Sequence, residues 1–411
     1  MKYVVAQLGA RMHYAVPRIL ADRGCLSMLY TDIAAVGAVR TAAGLLSATG
    51  VSGIRRLRGR RPSGIPEGLV RQFPGFGLIY RLRALHAATE EDKTAVSLWA
   101  GREFCRRVVQ CGFSDARAAY AFSSMAEGVL KAARERGLYG VLEQINAPRR
   151  VYDRYYREEH AAWPGWEAYA RRSEVLEEFI AREENEWRLA ERIVCGSQFV
   201  LDGIREDSVP MSKCSVVPYG VSLPAATVRE ARDGNGLNVL FSGRVSLIKG
   251  IPYLVGALRR LQGSGVRCRI AGRVFLTGKA ERELKDVAEV LGVVPRSRMQ
   301  ELYNWADVFV LPTLCEGSAT VCYEALASGL PVITTPNAGS VVRDGIDGLI
   351  VPIRDSDKLA TAIELLVQDR LLRDQMSHDA RQRASEFTLA EYSNRLSIAL
   401  GVVSDNFAVS A

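Results

Sequence analysis

The chain is predicted to fold as an α/β protein with two doubly wound, parallel-sheet domains. Three observations predict this. Strand-like apolar runs alternate with helical stretches along the whole sequence, the pattern of parallel βα units. The chain has 411 residues, more than one ordinary core supports, so two domains of about 200 residues are expected. The rhythm then breaks near its middle, at ATVREARDGNGL, where polar and turn residues replace it.

The opening run Tyr3–Leu8 reads as a buried strand that leads through a loop into a helix carrying ARMHYAVPRIL. Further strands are expected at Leu26–Tyr30, Ala118–Phe122, Gly140–Gln144, Arg192–Cys195 and Ser215–Val217. The acidic stretch Ser173–Ala190 carries its apolar residues at helical spacing. In the second half, strands are expected at Val239–Ser242, Arg267–Ala271, Val308–Leu311, Val332–Thr334 and Gly348–Val351. The domains are therefore read as 1–225 and 238–388, with 226–237 as the linker. A last helical segment, within 389–411, follows the final βα unit without another strand and is expected to cross back to the first domain. No repeat of solenoid period is visible.

Composition excludes several classes. Hydrophobic residues make up 48% and charged residues 24%, as in a soluble globular protein. No apolar run reaches the ~18 residues of a membrane span, and the N-terminus lacks the features of a signal peptide. The eight cysteines are scattered without CxxC spacing, several within apolar runs, so free buried thiols in a reducing cytoplasm are expected. The four histidines show no ligand spacing, which argues against a metal site. Asp355-Ser-Asp357 precedes the helical run KLATAIELLV and is read as a helix cap rather than a metal motif.

The net charge of +8 is unevenly spread. Between Arg40 and His86 lie nine arginines, interleaved with leucine, isoleucine and phenylalanine, against the single acid Glu67. Such a stretch fits either a solvated basic face or an anionic membrane surface. Nucleic acid is not expected, because no stacking motif or groove-reading helix accompanies the charge.

The chemistry concentrates in the second half. The segment CEGSATVCYEALASG places Glu316 and Glu324 around a run of small residues, Gly317, Ser318, Ala319 and Thr320, after an expected strand. Small side chains let a phosphate approach the backbone N–H groups at such a strand–loop–helix turn. Glu316 is expected just before the helix and Glu324 two turns further in, about 80° apart in azimuth and about 12 Å apart along the axis. A ligand satisfying both is long, anionic in its middle and hydroxylated at both ends, as a nucleoside-diphosphate sugar is. The stretch FSGRVSLIKGIPYLVGALRRL places Arg244 and Lys249 in a second loop before a helix. A lysine just before a helix start opposes the macrodipole, and is well placed if both face one phosphate. Arg244 and Lys249 would then stabilise charge on a departing diphosphate.

These residues resemble family 4 glycosyltransferases with the GT-B fold, in which two Rossmann-like domains face a central cleft. EGSATVCYE matches the family's glutamate–seven–glutamate signature and SGRVSLIKG its Arg–Lys loop. Order and spacing agree through RIAGRVFLTG, LGVVPRSRMQELYNWADVFVLPTLCEGS, ASGLPVITTPNAGS and DGIDGLIVP, and more loosely through VLEQINAPRR and RIVCGSQFV. The resemblance implies a retaining, metal-independent transfer from a nucleotide-diphosphate sugar to a glycan or lipid-linked glycan, with no cofactor. It implies Arg244, Lys249 and Glu316 as catalytic residues. Donor contacts fall to Gly9, Gly243, Arg273, Val294, Gly317, Ser318, Ala319, Thr320 and Glu324. Arg11, His13 and Glu143 are the acceptor candidates. Two departures stand out: the first-domain loop reads Leu8-Gly9-Ala10-Arg11 where paired glycines are usual, and VLEQINAP lacks the family's first-domain histidine. A nucleotide-sugar epimerase of the same fold and a catalytically silent nucleotide-sugar-binding protein are the alternatives. Donor, acceptor and oligomeric state are not fixed by the sequence.

Overall fold

The computed structural model describes residues 1–37, 39, 60–207, 209–224 and 236–402. Most of the expected linker and much of the arginine-rich stretch, Arg40, Arg55, Arg56 and Arg58 included, lie outside the described residues.

Two parallel sheets form the molecule. The first holds seven strands, β1 (Tyr3–Ala6), β2 (Leu26–Thr31), β3 (Val70–Gln72), β4 (Ala118–Phe122), β5 (Tyr139–Gln144), β6 (Arg192–Cys195) and β7 (Cys214–Val216). They lie in the order β3-β2-β1-β4-β5-β6-β7. The second sheet comprises β8 (Leu237–Ser242), β9 (Val266–Ala271), β10 (Glu289–Gly292), β11 (Val308–Leu311), β12 (Val332–Thr334) and β13 (Gly348–Ile350). Its order is β10-β9-β8-β11-β12-β13. Both sheets reverse their winding once, between β1 and β4 and between β8 and β11. In doubly wound sheets that reversal opens a crevice beyond the strand ends, where ligands bind.

The inner strands are fully buried on both faces, as the near-continuous apolar runs VVA, AAYAF, VLF and VFVL require. The edge strands β3 and β10 were not expected from the sequence. Their residues, VRQ and EVLG, are half exposed and carry no long apolar run. Leu237, read as the end of the linker, is the buried first residue of β8.

Two seams join the halves. On one, Glu159 takes an ion pair from Arg354 at 2.6 Å and a hydrogen bond from the Tyr253 hydroxyl at 2.9 Å. Beside it the Leu247 N–H donates to Glu167 at 2.9 Å, and the Thr277 N–H to the Trp166 carbonyl at 2.7 Å. On the other, the chain returns through helix Leu389–Ala399, whose Tyr392 and Leu396 join the core around Tyr3 and Tyr120. The Tyr3 hydroxyl donates to the Leu400 carbonyl at 3.0 Å. All eight cysteines are free thiols.

Candidate active site

The loops after β8 and β11 leave neighbouring strands at the point where the second sheet reverses. They are locked together by backbone. The Ile248 carbonyl accepts from the Leu314 N–H at 2.9 Å and from the Thr313 hydroxyl at 3.2 Å. Gly250 sits at φ +73°, and a Cβ there would lie 1.9 Å from the Pro312 carbonyl oxygen. Only glycine lets the loops close, because the position needs both a left-handed backbone and an absent side chain.

That closure brings Lys249 against Glu316 as an ion pair. Burial pushes the Lys249 ammonium down to about 8, and Arg244 pushes the same way. Arg244 lies over the Phe275 ring, 3.7 Å from its centroid, and 3.8 Å from the Glu90 carboxylate of the first half. Arg244, Lys249, Glu316 and Glu90, with Asn146, Arg149 and Tyr152, line a cavity of about 290 Å³ between the two sheets.

A larger cavity of about 690 Å³ adjoins it, sharing Asn146, Glu316 and Gly317. Gly317, Ser318, Thr320 and Glu324 line it from the second half, and Arg11, His13, Arg18 and Tyr219 from the first. Glu324 accepts from the Tyr303 hydroxyl at 2.9 Å and pairs with Arg296 at 3.4 Å. The helix begins only at Thr320, with Glu316 in the loop before it as expected, so the angle and rise of a continuous helix do not relate the two glutamates. One expectation is corrected here. The amides of 316–320 are not all free: Glu316 N–H donates to the Asn337 carbonyl and Ala319 N–H to that of Ala338, both at 3.1 Å. Ala319 is buried in the core and does not face the cleft.

Gly317 sets the width of the cleft. A Cβ there would lie 2.2 Å from the Ile145 carbonyl oxygen, so the two halves touch through backbone at this point. Ser197, from the first half, donates to the Gly317 carbonyl at 2.5 Å.

The first-half loop is unusually shaped. Gly9, at φ +83°, donates its N–H to Asp32 at 2.9 Å. Met12, His13 and Tyr14 then all take positive φ. Three consecutive non-glycine residues in that region cost of order 1–3 kcal/mol each, a strain retained where surroundings demand it. The turn carries Arg11 and His13 into the cleft, so His13 is not on a regular helix. Arg11 is held by the Tyr219 hydroxyl at 2.8 Å and by Glu143 at 3.6 Å. Burial works against its charge, but Tyr219 and Glu143 outweigh it and raise the group. Burial, then Arg296 and Arg18, hold the His13 imidazole below its ordinary value. Glu143 does not face the cleft: it is buried under Tyr219 and takes the Tyr120 hydroxyl at 2.6 Å. It orients Arg11 rather than meeting a ligand.

Gly243 and Arg273 also stand apart from the cleft lining. Gly243, at φ +149°, packs its carbonyl against Gly272 and joins the ends of β8 and β9. Arg273 is exposed, 5.2 Å from the Phe275 ring. Val294 is half-buried and packs against the second core. Sequence reasoning missed Asn146, Ser197, Tyr219 and Arg296. Asn146 stands two residues beyond the end of β5, and that position was its only available signal. Among the described residues no three histidine, cysteine or carboxylate side chains converge as a metal-binding group.

Residues 227–383 match the family model described as glycosyl transferases group 1. A D-inositol 3-phosphate glycosyltransferase of Xylanimonas cellulosilytica is 31% identical over 48% of this chain and 55% of its own. The chain thus spans about half the length of the curated relatives it matches. Among solved structures, Anabaena HepE in complex with UDP and glucose superposes with a TM-score of 0.61 at 17% identity, over 98% of this chain and 100% of that one. A sucrose-phosphate synthase of Thermosynechococcus elongatus gives 0.64 at 16% identity, over all of both chains. The fold is the GT-B arrangement of two Rossmann-like sheets, and its second half, residues 227–383, carries the match to the glycosyl transferases group 1 family.

Proposed function

We propose that this chain is a retaining, metal-independent glycosyltransferase that moves a sugar from a nucleoside-diphosphate donor to a glycan or lipid-linked glycan. One observation carries the reading: Lys249 and Glu316 meet where two loops leave the reversal point of the second sheet, in a cleft closed by the first. The donor lies in the larger cavity, its ribose hydroxyls on Glu324 and its sugar hydroxyls on Glu316. The cations Arg11, Arg18 and Arg296 around that cavity offset the diphosphate charge. As the bond from the anomeric carbon to the diphosphate oxygen breaks, its electron pair stays on that oxygen. Lys249 and Arg244 stabilise the charge formed there. The acceptor hydroxyl attacks the same face and its proton passes to the departing phosphate, so configuration is retained without a metal ion. The relative named as a D-inositol 3-phosphate glycosyltransferase supports transfer chemistry.

The place of work in this reading is the cytoplasmic face of a membrane, in the synthesis of bacterial cell-surface polysaccharide or glycolipid. Helix Pro74–His86 leaves Leu78, Ile79, Leu82 and Leu85 exposed, with Arg83 among them. Side chains at such spacing form one stripe that can dip into an interface. Two arginines of the basic run are engaged within the protein: Arg60 pairs with Asp32 at 2.6 Å, and Arg83 lies 4.0 Å over Trp99. No described helix is long and apolar enough to cross a membrane. The test is flotation with anionic or neutral liposomes at low and high salt. Salt-sensitive binding to anionic vesicles is expected, and equal, negligible binding in all four conditions contradicts it.

A further inference from the structure

The smaller cavity does not end at Arg244. Glu90, Arg149, Tyr152 and Arg244 also line an adjoining groove between the helices Glu90–Cys111 and Arg149–Ala162 and the segment that follows the second. Two tyrosines, Tyr152 and Tyr156, line it, and Tyr169 stacks on Tyr156 at its edge. The Tyr152 and Tyr156 rings lie 6.2 Å apart at 18°, and Tyr156 and Tyr169 lie 5.9 Å apart at 14°. The ladder runs from the cavity beside Glu316 to Tyr169, which is 51% exposed.

The wall of this groove is fixed in place. The Tyr156 hydroxyl accepts from the Ala170 N–H at 2.8 Å and donates to the Ala168 carbonyl. Glu167 accepts from the Leu247 N–H at 2.9 Å, which ties the wall to the loop bearing Arg244 and Lys249. The Tyr152 hydroxyl, by contrast, takes no partner among the described residues. The charged lining is Glu90, Glu91, Asp153 and Glu167 against Arg149, Arg171 and Arg244. Four carboxylates beside three guanidiniums do not attract a polyanion. They are groups that accept from and donate to hydroxyls.

We infer that this groove is the acceptor subsite, and that it takes a neutral glycan chain several sugar units long. The exposed Tyr169 ring offers a flat apolar face to the C–H face of a pyranose ring, while the Tyr152 hydroxyl and the flanking carboxylates meet sugar hydroxyls further along the groove. The proposal rests on the donor lying in the larger cavity. The transferred sugar then reaches Glu316 from one side, and the smaller cavity is the open approach for an acceptor hydroxyl. A lipid carrier at the far end of the chain would leave this recognition unchanged, since the groove reads sugar and not headgroup phosphate.

Saturation-transfer NMR with free maltotriose, cellotriose, mannotriose and galactotriose tests this. At least one trisaccharide is expected to bind the wild-type chain. Tyr152→Ala and Tyr169→Ala should each weaken that binding about tenfold or more, equivalent to about 1.4 kcal/mol. Tyr169 is a surface ring, so its variant keeps the test valid if Tyr152→Ala fails to fold. Thermal shift with UDP, GDP, ADP and dTDP, run on the same samples, should be unchanged by Tyr169→Ala. Failure of all four trisaccharides to bind, or equal binding by Tyr169→Ala, overturns the groove assignment. Absence of any nucleotide shift in the wild type overturns the donor reading instead, so the two failures are distinguishable.

Discussion

Lys249 and Glu316 form an ion pair between the two loops that leave β8 and β11, with 17% and 20% of their side chains exposed. Neither loop would hold this pair alone, because Gly250 against Pro312 sets their separation. The pair occupies the junction of the two cavities, where a diphosphate oxygen and a sugar hydroxyl would each take one partner. Substrate thus exchanges one set of charge contacts for another.

The first prediction concerns pH. Burial holds the Lys249 ammonium near 8, below the ordinary lysine value of about 10.4. Between those values the unfolded chain binds the proton more tightly, so this group's contribution to stability rises with pH across the window. Activity runs the other way, since the charge that stabilises the leaving diphosphate is lost. A pH profile of kcat/KM should fall above about 8, up to about tenfold per unit. Lys249→Arg should move that limb beyond pH 10, because a guanidinium stays charged. Glu316→Gln, which removes the anion favouring the charge, should move it lower.

The second prediction concerns the reacting groups. Arg244→Ala, Lys249→Ala and Glu316→Ala should each lower turnover by roughly 10²–10³ while near-wild-type circular dichroism shows the fold intact. Near-normal turnover in two of the three would remove them from the chemistry.

The third concerns Gly317. A methyl group there meets the Ile145 carbonyl oxygen at 2.2 Å and the Asn146 Cα at 2.9 Å, both backbone. Gly317→Ala should cost about 1–3 kcal/mol in the closed form and wedge the halves apart. Titration calorimetry should show weaker nucleotide binding. Unchanged affinity would mean that the halves do not close on the ligand at this point.

The fourth is structural. Glu186 is fully buried and accepts from the N–H groups of Ser124, Ala126 and Glu127 at 2.7, 2.9 and 3.1 Å, at the start of helix Glu127–Glu135. Glu186→Ala leaves those donors unpaired, and should cost about 3 kcal/mol in chemical denaturation. Burial raises the Glu186 carboxyl to about 7. Its stabilising contribution is therefore full below about 4.3 and lost as pH rises through 7. Glu186→Gln should flatten that pH dependence, and an unchanged slope would assign it elsewhere.

The central strands were legible because burial on both faces demands continuous apolar runs. The edge strands β3 and β10 were not, since half-exposed residues such as Arg71 and Glu289 carry no such demand. The positions of Glu316, Lys249 and Arg244 in their loops followed from strand–loop–helix order. What stayed hidden depends on contacts between distant segments. Nothing in RMHY announces three positive φ angles, and nothing in RIVCGSQFV announces that Ser197 will meet Gly317. The engagement of Ala319's amide by Ala338 likewise belongs to the packing of a later loop.

The most direct test of the account is release of nucleoside diphosphate. The chain, in EDTA, is incubated with UDP-, GDP-, ADP- and dTDP-linked sugars, and both products are followed by NMR. We predict that at least one donor releases its nucleoside diphosphate with the anomeric configuration of the sugar retained, and that Lys249→Ala abolishes the release. No release from any donor, epimerisation of the sugar without release, or release that depends on added Mg²⁺ or Mn²⁺ would contradict it.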